Sequence, residues 1–302
     1  MAVVMGDDRR ARIGLASGVC AYTIWGLMPL AFNAITGLGN FEILAIRLVM
    51  SALSLILIVT CVQGWGAIGK VARQPRLIAA LMVSATLIIT NWLIYIMAAR
   101  GGHVMEASLG YFINPLLNVA LGMIFLGERL RAFQWGAIAL AGSGVAFLAL
   151  NQGTALWVSL ALAGSFGCYG LIRKVLPVSP LEGLTIENLL FVPLALIALL
   201  VMPLSPVASY TPSNITLLAL LGPFTVLPLI LFAAAAQRLS YGTVGLIQYL
   251  APSLQFGVAL WLGESFDWIQ AIAFGCIWTA LILYPGEGLR HHTRRTGPPL
   301  PE

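Results

Sequence analysis

The sequence predicts an all-α polytopic membrane protein: ten transmembrane helices as two inverted five-helix repeats around a central cavity. Three observations predict it. Apolar residues make up 60% of the 302 positions and charged residues 9%, too few polar groups to coat a soluble globule. Ten apolar segments follow one another with short links, at 13–35, 42–63, 77–99, 104–126, 133–150, 154–172, 184–203, 214–236, 243–262 and 267–285. Finally, the second half of the chain repeats polar and proline positions of the first.

Each segment suits a helix crossing a bilayer core, which takes ~17–25 residues, and none shows the alternation of a barrel strand. Asp7, Asp8, Arg9, Arg10 and Arg12 precede the first. Its apolar run is longer than the ~7–15 residues of a cleaved signal, so it reads as a permanent span. Short links make neighbouring helices antiparallel. With the N-terminus in the cytoplasm, 14 of the 16 Lys and Arg residues fall on that side. Arg100 alone lies outside and Arg47 lies within a span, while the links 151–153 and 204–213 carry no charge. This asymmetry predicts both termini in the cytoplasm and accounts for the net charge of +5 without nucleic acid.

The repeat appears at an offset of 137: Ala98-Ala99 meets Ala235-Ala236, Tyr111 meets Gln248, Pro115 meets Pro252 and Asn118 meets Gln255. At an offset of 144, Trp25-Gly26-Leu27 meets Tyr169-Gly170-Leu171. Gly127-Glu128 closes the fourth span and Gly263-Glu264 the ninth. Each half has an odd number of spans, so the copies are inverted, a device for alternating access. The organisation expected is a tail at 1–12, repeats at 13–150 and 154–285, and a basic cytoplasmic tail at 286–302 that meets anionic lipid.

Polar groups inside a bilayer must line a cavity or pair with one another. Tyr111, Asn114 and Asn118 share one helical face, as do Gln248, Pro252 and Gln255. The repeat makes them facing walls of a cavity, or else helix-to-helix hydrogen-bonding partners. Tyr22, Trp25, Trp92, Tyr95, Tyr169 and Tyr249 lie within spans, away from the interfacial belt where such rings gather. Aromatic walls with a few amides suit a small amphipathic solute. Pro115 and Pro252 should kink their helices and act as gating points.

Three ionisable residues remain as charge partners. Arg47 either holds a substrate carboxylate or pairs with Glu42 or a helix end. Glu106 opens the fourth helix, where it either caps or carries a proton. Glu187 faces the Arg173-Lys174 link and is the other candidate for proton coupling. Cys20, Cys61, Cys168 and Cys276 lie in apolar runs without metal-ligand spacing. No phosphate-binding loop, His-Glu-x-x-His or Gly-x-Ser-x-Gly is present. No ATP, metal, cofactor or catalytic residue is therefore expected, and the chain does not read as an enzyme.

The stretch from Glu106-Ala107-Ser108-Leu109-Gly110-Tyr111-Phe112-Ile113-Asn114-Pro115 to Gly127-Glu128-Arg129, with Asn91-Trp92 and Gly263-Glu264, resembles the RarD branch of the EamA family in the drug/metabolite transporter superfamily. It is also similar to bacterial amino-acid exporters of the YddG type. The resemblance implies ten helices in the bacterial inner membrane and a cavity lined mainly by spans 1, 3, 4, 6, 8 and 9. It implies export of amino acids, aromatic ones among them, with efflux of chloramphenicol-like hydrophobic drugs as the alternative. The second copy departs from the first where Asn114-Pro115 becomes Ala251-Pro252.

Overall fold

The computed structural model describes residues 2–279 except 34, 36, 101–103, 131, 153–155, 262–267, 269–270, 273–274 and 277. No strand occurs among them. The helices are α1 (Ala2–Asn33), α2 (Asn40–Ile58), α3 (Trp65–Ala72), α4 (Pro75–Arg100), α5 (Val104–Leu126), α6 (Ala132–Gln152), α7 (Leu156–Val175), α8 (Pro180–Val201), α9 (Pro212–Arg238), α10 (Tyr241–Gln248) and α11 (Leu250–Trp261). Trp268, Ala271, Ile272, Gly275, Cys276, Trp278 and Thr279 are helical too and belong to the tenth apolar segment. With α3 a short connector and α10–α11 one interrupted span, ten transmembrane helices result. Asn40–Val62, Pro75–Tyr95, Pro180–Val201 and Pro212–Arg238 are each, by length and composition alone, sufficient to cross a membrane.

Local chemistry sets the ends. Ser179, Thr211 and Ser240 each accept a hydrogen bond from a backbone N–H in the first turn that follows, those of Glu182, Asn214 and Thr243. Pro180 and Pro212 occupy first-turn positions where no donor is needed. The second span ends in one π-helical turn, Val59–Gln63, closed by Gly64 at φ +75°. Gly127, at φ +65°, ends α5 as only glycine does easily. The turn lets Glu128 reach the start of α10, where it accepts from the N–H groups of Tyr241 at 2.6 Å and Gly242 at 3.0 Å. Lys174 lies 3.9 Å from the same carboxylate.

The two prolines expected to kink differ in outcome. Pro115 sits inside the continuous α5. Around Pro252 the ninth span breaks: α10 stops at Gln248, Tyr249 turns, and α11 begins at Leu250. Proline cannot donate to the carbonyl four residues earlier, here that of Gln248, and its ring crowds that carbonyl.

The contacts obey the inverted repeat. Helix α1 packs on α9 as α7 packs on α4, α2 on α9 as α8 on α4, and α5 on α7 as α11 on α1. The equivalent pairs α2–α8 and α5–α10 meet each other across the pseudo-axis. Close approaches occur at glycines: a Cβ on Gly222 would lie 2.4 Å from the Met50 carbonyl oxygen, and one on Gly245 2.7 Å from that of Pro115. Leucine, isoleucine and valine side chains such as Leu53, Leu57, Leu160, Leu194 and Ile197 stay exposed on the outside, where lipid replaces water. Polar side chains point inward: Ser84, Asn91, Asn118, Thr225 and Gln248 are all buried.

Candidate functional site

One end of the bundle carries Arg10, Glu128, Lys174 and Arg238; this is the basic face. The other carries Glu42, Ser205 and Tyr210. A cavity of about 440 Å³ occupies the half of the bundle toward Glu42. Its lining starts at Ile35, Leu38 and Asn40 in and beside the α1–α2 link and descends to Phe166, Gln248 and Pro252 near mid-depth. Tyr22 and Trp25 come from α1, Arg47 from α2, Asn91, Trp92 and Tyr95 from α4, and Tyr111 from α5.

Aromatic rings and one cation dominate the wall. The Arg47 guanidinium carbon lies 4.2 Å from the centroid of the Trp92 ring, a cation–π arrangement. Its Nε donates to Thr225 Oγ1 at 2.6 Å, and that hydroxyl donates to the Leu221 carbonyl at 2.7 Å. The guanidinium is thus fixed in orientation as well as place. Tyr95 and Tyr111 meet edge to face, with centroids 5.8 Å apart. Trp25 contacts Tyr22 at 5.4 Å and Phe166 at 5.7 Å. At the floor, Gln248 Oε1 accepts from Asn118 Nδ2 at 2.9 Å and from the Tyr22 hydroxyl at 3.5 Å. Asn91 Nδ2 donates to the Leu162 carbonyl at 2.8 Å and to Ser165 Oγ at 3.0 Å, which anchors α4 to α7 beside the cavity.

Toward the basic face the bundle is filled. Tyr169 and Phe232 stack with centroids 6.0 Å apart and planes 17° from parallel, and both are fully buried. The Tyr241 hydroxyl donates to the Gly167 carbonyl at 2.6 Å. Below them Arg173 and Glu187 form an ion pair at 3.6 Å.

Residues 12–150 match the model of the EamA-like transporter family. An uncharacterized transporter of Vibrio cholerae is 42% identical over 295 residues, covering 96% of this chain and 98% of its own. Protein RarD of Escherichia coli K12 is 38% identical over 294 residues, covering 96% of this chain and 99% of its own. The chain belongs to the RarD branch of the EamA-like transporter family. Chloramphenicol-sensitive protein RarD of Pseudomonas aeruginosa is 31% identical over 283 residues, covering 92% of this chain and 95% of its own. A solved protein structure that is 19% identical covers 90% of this chain and 97% of its own at a TM-score of 0.73, which shows the shared fold. This RarD-branch chain is therefore a multi-pass transporter of the bacterial inner membrane, with a small molecule as its substrate.

Of the residues singled out in sequence, Tyr22, Trp25, Arg47, Trp92, Tyr95, Tyr111, Gln248 and Pro252 meet at the cavity. Four do not line it in this conformation. Asn114 and Asn118 are 1% and 0% exposed, and Asn118 donates to Gln248. Tyr169 belongs to the filled half, and the Tyr249 hydroxyl donates to the Phe112 carbonyl at 3.2 Å. A shared helical face says which residues lie together but not what that face meets. The side chains of Glu106 and Gln255 lie outside the described residues. Arg47 donates to Thr225, while Glu42 accepts from Gly39, Ser205 and Tyr210. Sequence reasoning missed Phe166 and Phe232. Both were readable as repeat partners, of Tyr22 at offset 144 and of Tyr95 at offset 137.

Proposed function

We propose that this RarD-branch chain exports small amphipathic metabolites, most of all amino acids including aromatic ones, by alternating access. One observation carries the reading: a cavity walled by aromatic rings, with an oriented arginine and an amide, closed toward the basic face by packed rings. In this reading the basic face is cytoplasmic, by the positive-inside rule. Both tails, 1–12 and 286–302, are then cytoplasmic, and the repeats span 13–150 and 154–285. The conformation is outward-open. Arg47 takes the solute's carboxylate, Trp25, Trp92, Tyr95 and Tyr111 take its apolar part, and Gln248 takes a further polar group. The second half's Tyr169, Tyr249 and Gln255, with Asn114 and Asn118, serve the inward-open state. Pro115 and Pro252 flank the contact of α5 with α10, where the two halves pivot. Glu106 and Glu187 are the carboxylates open to proton coupling, and ATP has no part.

The test is flux of labelled aromatic amino acids from proteoliposomes, competed by the other amino acids, with and without a proton gradient. Saturable flux competed by aromatic amino acids supports the reading; no saturable flux for any of the twenty overturns it. A second reading has its own support. Met28, Ile43, Leu44, Ile88 and Leu229 give the cavity apolar walls that suit a hydrophobic drug, and one relative's name refers to chloramphenicol. A resistance screen on expressing cells separates the two.

A further inference from the structure

Arg47 and Glu187 occupy the same place in the two repeats. Helix α2 starts behind Gly39 and α8 behind Ser179, and each residue lies eight positions past its cap. Their partners correspond as well. Arg47 donates to Thr225 on α9, and Ser84 on α4 donates to Glu187 Oε1 at 2.6 Å. Since α2 packs on α9 as α8 packs on α4, these are equivalent interfaces. Arg47 opens into the cavity, whereas Glu187 is 3% exposed and paired with Arg173, which is fully buried.

We infer that Arg173, Glu187 and Ser84 form the latch that holds the basic face shut. The inference rests on the alternating-access reading above. If the halves exchange conformations, the position of Glu187 must become what that of Arg47 is here, part of an open wall, and the ion pair must come apart.

Two observations besides the symmetry support a latch over a permanent strut. The closed pocket is poorly satisfied. Among protein atoms, Glu187 Oε2, Arg173 Nε, the Tyr169 hydroxyl and Asn188 Oδ1 are buried without hydrogen-bond partners. Stranded polar groups destabilise a closed arrangement, and a desolvated ion pair offsets only part of its own hydration loss. The seal built on this buried ion pair therefore releases more readily than an apolar one of the same size. The guanidinium also depends on a glycine. A Cβ on Gly183 would lie 1.8 Å from Arg173 Nη1, so Arg173 fills the space that a side chain there would take. Arg173 Nη2 donates to the Pro180 carbonyl at 3.0 Å, which completes the seat across the α7–α8 link.

The test reads conformation without substrate, so its failure is separate from a failure of transport. In a chain with Cys20, Cys61, Cys168 and Cys276 changed to Ser, one cysteine is placed at the cavity residue Leu44 or at its repeat equivalent Leu184, which is buried. The protein is reconstituted in liposomes, and labelling by a membrane-impermeant maleimide is timed from each side. Leu44→Cys should react from the cavity side and Leu184→Cys slowly from the basic face. Glu187→Gln and Gly183→Ala should each speed Leu184→Cys labelling by about tenfold and slow that of Leu44→Cys, as a population shift requires. The swapped pair Arg173→Glu with Glu187→Arg should restore rates toward native. Unchanged labelling at Leu184→Cys in both single variants overturns the latch. Should Glu187→Gln fail to insert, Ser84→Ala removes one hydrogen bond from the same carboxylate. A smaller shift in the same direction supports the latch, and no shift overturns it.

Discussion

Asn118 donates its side-chain amide to Gln248 Oε1 at 2.9 Å, tying the middle of α5 to the last turn of α10. The two helices are repeat equivalents, and Gln248 lines the cavity while Asn118 is buried behind it. Asn118 thus acts through Gln248. Hydrogen bonds between membrane helices contribute roughly 0.6 kcal/mol on average and up to about 1.7. Asn118→Ala should lower thermal stability in detergent slightly and raise KM only a few-fold, whereas Gln248→Ala should raise KM more. Equal KM values for native protein and Gln248→Ala would remove Gln248 from the binding wall.

Arg47 stacks on Trp92 and is steered by Thr225. A charge-assisted hydrogen bond to a carboxylate contributes about 1.5–3 kcal/mol, so Arg47→Ala should raise KM by roughly 10- to 150-fold for a carboxylate-bearing substrate. Arg47→Lys should recover only part of this, because an ammonium lacks the planar stack and the fork of donors. The control is a neutral amide of the same solute. If Arg47 reads a carboxylate, Arg47→Ala should affect the amide little, and an equal loss for both compounds would assign Arg47 a purely structural role.

Much of this was legible in hydropathy and charge, because the bilayer imposes one length and one satisfied backbone on every span. The expected segment 104–126 and α5 coincide, and the ninth span is interrupted at Tyr249, three residues before Pro252. The short α3 was not foreseen, since Trp65–Ala72 carries too few residues to stand out from a link. The sides of helices were harder. Asn118 and Tyr111 share a stripe, yet only Tyr111 reaches the cavity, because α10 covers the lower part of that face. The partners of Glu42 lie 163 and 168 residues away, at Ser205 and Tyr210, and no local pattern announces such a pairing.

Gly222 and Gly245 mark places where backbones nearly touch. The missing Cβ of Gly222 would fall 2.4 Å from the Met50 carbonyl and that of Gly245 2.7 Å from the Pro115 carbonyl. Backbone cannot move aside as a flexible side chain can, and overpacking costs about 1–3 kcal/mol or more. Gly222→Val should lower the melting temperature in detergent, because α2 and α9 must separate. Gly245→Ala should slow transport more than it lowers melting temperature, since it wedges the α5–α10 contact on the pseudo-axis. Gly66 has no atom within 4 Å of the added Cβ, so Gly66→Ala should change neither quantity. A native melting temperature in Gly222→Val would mean that α2 and α9 are less tightly apposed than this geometry requires.

Glu42 joins the two links at the mouth of the cavity. It accepts from the Gly39 N–H at 3.2 Å, from the Ser205 N–H at 3.2 Å and from the Tyr210 hydroxyl. The bond to Glu42, with a smaller contribution from burial, pushes the Tyr210 hydroxyl up to about 12. A phenol held above its ordinary value of ~10 stabilises the folded loop fully below pH 10 and loses that contribution as pH rises toward 12. Tyr210→Phe removes the donor. At pH 8 the native protein should therefore melt at a higher temperature than Tyr210→Phe, and the difference should shrink above pH 10. Tyr210 is a loop residue, so the comparison should leave the labelling of Leu184→Cys unchanged. A difference that persists undiminished at pH 11 would mean that ionisation of the Tyr210 hydroxyl is not linked to the stability of the loop.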